Sequence, residues 1–123
     1  MIKRFLLVSW ILYAAALFGA SRNLEIYWID AEGGAATLIV APSGESLLVD
    51  TANRAPEDRD AKRIMAAIQQ AGLKKIDILL ITHFHSDHVG SMPALAKLIP
   101  IDLYMDHGES VEIARPAVML PAM

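Results

Sequence analysis

Cysteine is absent from this chain. That excludes disulfides, a cysteine nucleophile, a thiolate zinc site and any lipid anchor attached through sulfur. Positive charge is also scarce: eleven Lys and Arg stand against fourteen Asp and Glu, a formal net charge of −3. Nothing in that balance marks a dedicated nucleic-acid surface, although a nucleic acid stays open as a substrate. Length is limited too, and 123 residues hold one domain at most. There is no internal repeat and no low-complexity segment. The hydrophobic share of 54% is high, but the first twenty residues inflate it.

Those residues read as a targeting segment. Lys3 and Arg4 give a positive start, and Phe5 to Phe18 is apolar apart from Ser9. Small residues, Gly19 and Ala20, close it. The pattern is that of a secretory signal peptide over residues 1–20, with an apolar core short for a membrane span. Cleavage leaves a mature chain beginning near Ser21, exported to the periplasm or beyond; an uncleaved segment acts as a membrane anchor. Removing it takes away two positive charges and no acid.

Histidine is present in a concentrated form. Three of the four histidines fall within six residues, in His83-Phe84-His85-Ser86-Asp87-His88. The cluster follows Ile76-Asp77-Ile78-Leu79-Leu80-Ile81, an apolar run that reads as a buried strand. Open α/β sheets keep their sites on the loops at strand ends. In an extended segment His83 and His85 point the same way, and a turn brings Asp87 and His88 to face a second point. Imidazole and carboxylate suit zinc and its transition-metal neighbours. The spacing reads as two half-sites for two metal ions. A lone histidine is usually a surface or core residue, but three with an aspartate in this spacing reverse that expectation.

The remaining elements are read from pattern. Strands are expected at Leu24–Asp30, Ala35–Ala41 and Glu45–Val49, joined by turns at Glu32-Gly33-Gly34 and Pro42-Ser43-Gly44, an antiparallel meander opening the sheet. A polar loop from Ala52 leads to a helix over Glu57–Gly72. Acidic residues occupy its first turn, Ile64, Ala67, Ile68 and Ala71 form its apolar face, and Gly72 ends it. Met65 reads as core filler, and Lys74 and Lys75 as solvated charges. A short helix follows at Pro93–Leu98, then a strand at Ile101–Met105 and a polar turn at Asp106–Glu109. Residues 115–123 show no period and read as an irregular tail.

The His83–His88 motif resembles the H-x-H-x-D-H signature of the metallo-β-lactamase-fold hydrolases. The stretches from Ile29 to Leu38 and from Leu48 to Thr51 resemble the first strands of the branch similar to the hydrolase domain of the DNA-uptake protein ComEC. The resemblance implies an α/β fold of α+β type, the N-terminal βα half of a four-layer αββα sandwich, over residues 23–114. It implies that His83 and His85 bind one zinc-class ion and that Asp87 and His88 bind a second. Asp87 also orients the nucleophile, so that hydroxide attacks an ester, amide or phosphodiester bond. The family's later ligands have no evident counterparts here. His107 is the remaining histidine; it stays open as a ligand, although lining the cleft or capping a turn is the favoured reading.

Several departures accompany the likeness. Ala52 stands where the related Asp-Thr-Gly motif has glycine, and Ala35 where the ComEC-type motif has an acid. Asp50 is either a carboxylate holding a ligand histidine or a turn cap. Two functions stay open: the N-terminal part of a dinuclear zinc hydrolase, or a truncated, non-catalytic metal-binding remnant that needs a partner chain. On the second, an uncovered apolar sheet face invites self-association.

Overall fold

A computed structural model describes residues 23–109. The expected signal segment 1–20 and tail 115–123 lie outside them, as do residues 110–114 of the expected domain. Within them a five-stranded sheet runs in the order β1 (Glu25–Trp28), β2 (Thr37–Val40), β3 (Ser46–Val49), β4 (Ile76–Leu80), β5 (Ile101–Met105). The first three strands pair antiparallel, as the two turn signals require. β4 and β5 then add in parallel. Parallel neighbours need a crossover. Helix α1 (Arg59–Gln70) supplies the first. The single turns α2 (Ser86–Val89) and α3 (Met92–Leu95) supply the second. This mixed α/β architecture agrees with the expected fold class. Among the described residues no helix is long and apolar enough to cross a membrane.

The strands are shorter than the sequence pattern suggests. Ala36 and Ile81 carry the pairing about one residue past the strand ends, whereas Ala35 spends its N–H on another segment. Ala35 N–H donates to Asp87 O at 2.9 Å, and Ile81 N–H to Met105 O at 2.8 Å. The helix start is also corrected. Glu57 and Asp58 belong to a 3₁₀ turn and take left-handed φ angles of 55° and 53°. They therefore precede the helix rather than occupy its first turn, and Asp60 fills that position instead. The C-terminus behaves as expected. Gly72 (φ 71°) donates to Gln69 O, and Leu73 N–H reaches back to Ile68 O, the paired bonds of a Schellman cap.

One face of the sheet carries the core. Register places Tyr27, Leu38, Leu48, Leu79 and Tyr104 in one row across all five strands. Leu38, Leu48 and Leu79 are fully buried with Ile64 and Ile68 of α1 and Met92 and Leu95 of α3. Met65 packs at the edge of this cluster, as expected of core filler. On the opposite face the register makes two further rows. Ile26, Ile39, Leu47, Ile78 and Leu103 form one, and Trp28, Thr37, Val49, Leu80 and Met105 the other. Nine of these ten residues are apolar, and Trp28 is 81% exposed. No described element lies on this face. Its C-terminal edge continues into Thr82 and the histidine loop.

Lys75 is exposed, as expected of a solvated charge, and its ammonium also bridges Asp102 on β5 and Asp77 on β4, the latter at 2.8 Å. Lys75 first, then the hydroxyl and N–H of Ser46, hold the Asp77 carboxyl down to about 2 from 3.8. A carboxyl depressed in the folded state stabilises it above the unfolded value, and that stabilisation is lost as pH falls through the folded one. Urea midpoints should therefore fall between pH 4 and pH 2, and Asp77→Asn should remove part of that decline. An identical acid profile in the variant would contradict the assignment.

Candidate metal centre

Parallel pairing brings the C-terminal ends of β3, β4 and β5 to one edge of the sheet. Asp50 leaves β3 there, Thr82 to His88 leave β4, and Asp106 and His107 leave β5. The sequence separates Asp50 from Thr82 by 32 residues, but the ladder places them side by side.

The three imidazoles converge. The His83 and His85 rings meet edge to face with centroids 4.6 Å apart, and the His83 and His88 centroids are 3.9 Å apart. His85 caps the turn of α2, accepting His88 N–H and Val89 N–H on its carbonyl at 3.0 Å. That turn swings Asp87 and His88 back toward the strand end. His88 Nε2 then lies 3.5 Å from Asp87 Oδ2. His107 takes no place among these groups; its ring packs on Phe84 with centroids 5.0 Å apart.

Asp50 resolves as the carboxylate that holds the ligand candidates. Its side chain is 4% exposed, and its backbone is left-handed at φ 59°. Oδ1 accepts Thr82 N–H at 2.8 Å. Oδ2 accepts the Thr82 hydroxyl at 2.8 Å and lies 2.8 Å from His88 Nδ1. A carboxylate offers only acceptors, so His88 donates from Nδ1, and in the neutral imidazole this leaves the lone pair on Nε2. A carboxylate fixing the far nitrogen of an imidazole is the arrangement that orients metal-binding histidines.

The loops around this cluster are laced by backbone bonds. Thr51 N–H and hydroxyl both reach His88 O, at 2.6 and 3.1 Å. Ala52 N–H donates to Ala35 O, Ser91 N–H to Ala52 O, and the Ser91 hydroxyl to Asn53 O. Ala52 itself is fully buried and left-handed (φ 57°), a conformation these bonds hold against a cost of about 1 kcal/mol. The absent glycine therefore leaves the turn in place. Asp60, fully buried, accepts Asn53 N–H at 3.2 Å and Arg59 Nε–H at 2.7 Å. That hydrogen bond is the main reason the Arg59 guanidinium is held above its usual range. Gly34 and Gly90 permit the closeness. A Cβ on Gly34 would lie 2.8 Å from Asp87 O, and one on Gly90 would press into the backbone of Asn53, Arg54 and Ser86.

Pattern reading missed Thr82, Asp60, Ser91 and Gly90. Gly90 alone carried a local signal, two residues past the last histidine. Among the described residues no three His, Asp or Glu side chains form a group that could hold a metal ion. The donors stand instead in pairs.

A family model described as the metallo-beta-lactamase superfamily matches residues 29–123. A UPF0173 metal-dependent hydrolase of Cupriavidus taiwanensis is 36% identical over 92 residues, which is 72% of this chain and 29% of that protein. Another, from Thermodesulfovibrio yellowstonii, is 35% identical over 95 residues, 77% of this chain and 32% of that protein. An atrochrysone carboxyl ACP thioesterase of Aspergillus terreus is 36% identical over 67 residues, 54% of this chain and 20% of that protein. The chain thus spans under a third of the length of these relatives.

Proposed function

Because the chain belongs to the metallo-β-lactamase superfamily, we propose that it carries the first part of the site of a zinc-dependent hydrolase. His83 and His85 serve one ion, Asp87 and His88 a second. The Asp87–His88 pair is the observation that carries this reading. Its donors are 3.5 Å apart, and two ligands on one tetrahedral zinc at 2.0–2.2 Å are separated by about 3.4 Å. Nitrogen and oxygen donors without sulfur suit zinc and its neighbours.

Bound zinc would supply a Lewis acid and a water acidified toward neutral pH. The chain's own residues do the rest. Asp50 keeps the His88 imidazole turned so that Nε2 faces Asp87. Asp87, 43% exposed, is open to the solvent from which a nucleophile comes and can accept its proton. A phosphodiester is the favoured substrate, supported by the likeness of residues 29–38 and 48–51 to the ComEC-type strands. The thioesterase relative supports an acyl ester as the next class. The segment from Lys3 to Ala20 supports export, with the mature chain starting near Ser21; the mass of the mature protein tests this.

A second reading has its own support. Each ion receives two donors from the described residues, whereas a catalytic zinc keeps three protein ligands. On that basis the 123-residue chain alone binds zinc weakly and does not turn over. Zinc titration should show partial loss of binding in His83→Ala and in His88→Ala, and a generic phosphodiester and a generic ester should survive incubation in excess zinc. Unchanged stoichiometry in both variants would overturn the ligand assignment. Chelator-sensitive turnover removed by His85→Ala would overturn the second reading in favour of a complete enzyme.

A further inference from the structure

We propose that Thr82 is a positioning residue that, with Asp50, sets the tautomer of His83, so that one buried carboxylate presents the Nε2 atoms of two histidines assigned to different ions. The proposal rests on the metal-site reading for its purpose, but its geometry does not depend on that reading.

Counting protons fixes the direction of each bond. The Thr82 hydroxyl has one proton and lies 2.8 Å from Asp50 Oδ2, 3.1 Å from His83 Nδ1 and 3.4 Å from His88 Nδ1. Asp50 can only accept, and it is the nearest acceptor, so the hydroxyl proton goes to Asp50. The hydroxyl oxygen can then only accept from His83. A contact of 3.1 Å is a hydrogen bond if His83 carries its proton on Nδ1, and a clash of two lone pairs if it does not. His88 Nδ1 lies closer to Asp50 (2.8 Å) than to Thr82 and donates there directly. The result is a chain from His83 Nδ1–H to the Thr82 hydroxyl to Asp50 Oδ2, met from the other side by His88 Nδ1–H. Thr82 N–H on Asp50 Oδ1 locks the carboxylate against rotation. Both histidines are left with the Nε2 lone pair outward, the form in which imidazole binds a metal. Nothing in the spacing of the histidine motif separates this outcome from the opposite tautomer.

The test reads tautomers directly on the metal-free full chain, from long-range ¹⁵N–¹H correlations of the imidazoles at a pH where they are neutral. The wild type should show Nδ1–H as the major form at both His83 and His88. Thr82→Val should shift His83 toward Nε2–H and leave His88 unchanged, while Thr82→Ser should keep the wild-type pattern at both. Zinc affinity, measured by competition with a chromophoric chelator, should fall by about tenfold in Thr82→Val and recover in Thr82→Ser. A wild-type His83 carrying its proton on Nε2, or a His83 tautomer indifferent to Thr82→Val, would overturn the proposal. Absence of zinc binding with the tautomers as described would instead count against the metal-site reading alone.

Discussion

Gly90→Ala is expected to lower the melting temperature by more than about 10 °C, the largest loss expected from a methyl added at any of the described glycines. A Cβ at this position would sit well inside 3.0 Å of Arg54 N, Ser86 O and Asn53 C. All three are backbone atoms, so no side chain can swing aside. They belong to the two loops that Thr51, Ala52 and Ser91 tie together. Relief requires the loops to part, which breaks those bonds and opens the packing around Val89 and Met92. Overpacking of this kind costs about 3 kcal/mol, and 1 kcal/mol moves the melting temperature of a domain this size by about 4–8 °C. Gly33→Ala is the control. Gly33 has a left-handed φ of 90° with nothing near its missing Cβ, so its cost is conformational alone, about 1 kcal/mol. Equal shifts for the two variants, measured by thermal melts, would contradict the steric account.

Asp50→Asn is expected to reduce zinc affinity by about 10- to 100-fold while leaving the fold standing. Asparagine tolerates the left-handed backbone (φ 59°) and matches aspartate in shape. Its carbonyl can still accept Thr82 N–H. Its amide, however, donates toward His88 Nδ1, which must then accept and carry its proton on Nε2 instead. The lone pair that faces Asp87 is lost. Asp50→Ala is the harsher change, because Thr82 N–H, the Thr82 hydroxyl and His88 Nδ1–H all lose their acceptor. A buried polar group without its partner costs about 1–3 kcal/mol, so this variant should lose stability as well as affinity. Isothermal titration with zinc and thermal melts on both variants separate the two effects. Unchanged affinity in Asp50→Asn would remove Asp50 from the site.

The fold was legible where one local pattern sufficed. Pro42-Ser43-Gly44 and Glu32-Gly33-Gly34 announce hairpins, and Ile64 and Ile68 with Gly72 announce a helix and its end. The His83–His88 spacing after an apolar strand locates the candidate site in the same way. What resisted reading depends on contacts across the sequence. Glu57 and Asp58 resemble a helix first turn, yet both take left-handed φ angles in a 3₁₀ turn ahead of the helix, and the buried Asp60 carboxylate bonds Asn53 and Arg59. Lys75 is solvated as read, but its partner Asp102 is known only once β5 is placed beside β4. Asp50 had two equal readings because only the parallel pairing of β3 with β4 decides that His88 and Thr82 lie within its reach. Thr82 carried no signal at all, since its role is defined by a carboxylate 32 residues earlier.

Where zinc binds on this chain is the most direct test of the ligand assignment. Crystals of the chain grown with zinc and measured on either side of the zinc absorption edge should show anomalous peaks at the end of β4. One peak should lie within about 2.0–2.2 Å of His88 and Asp87 donor atoms, and another at a similar distance from the His83 and His85 imidazoles. Zinc found only at surface carboxylates or at His107, with the His83–His88 loop bare, would contradict it.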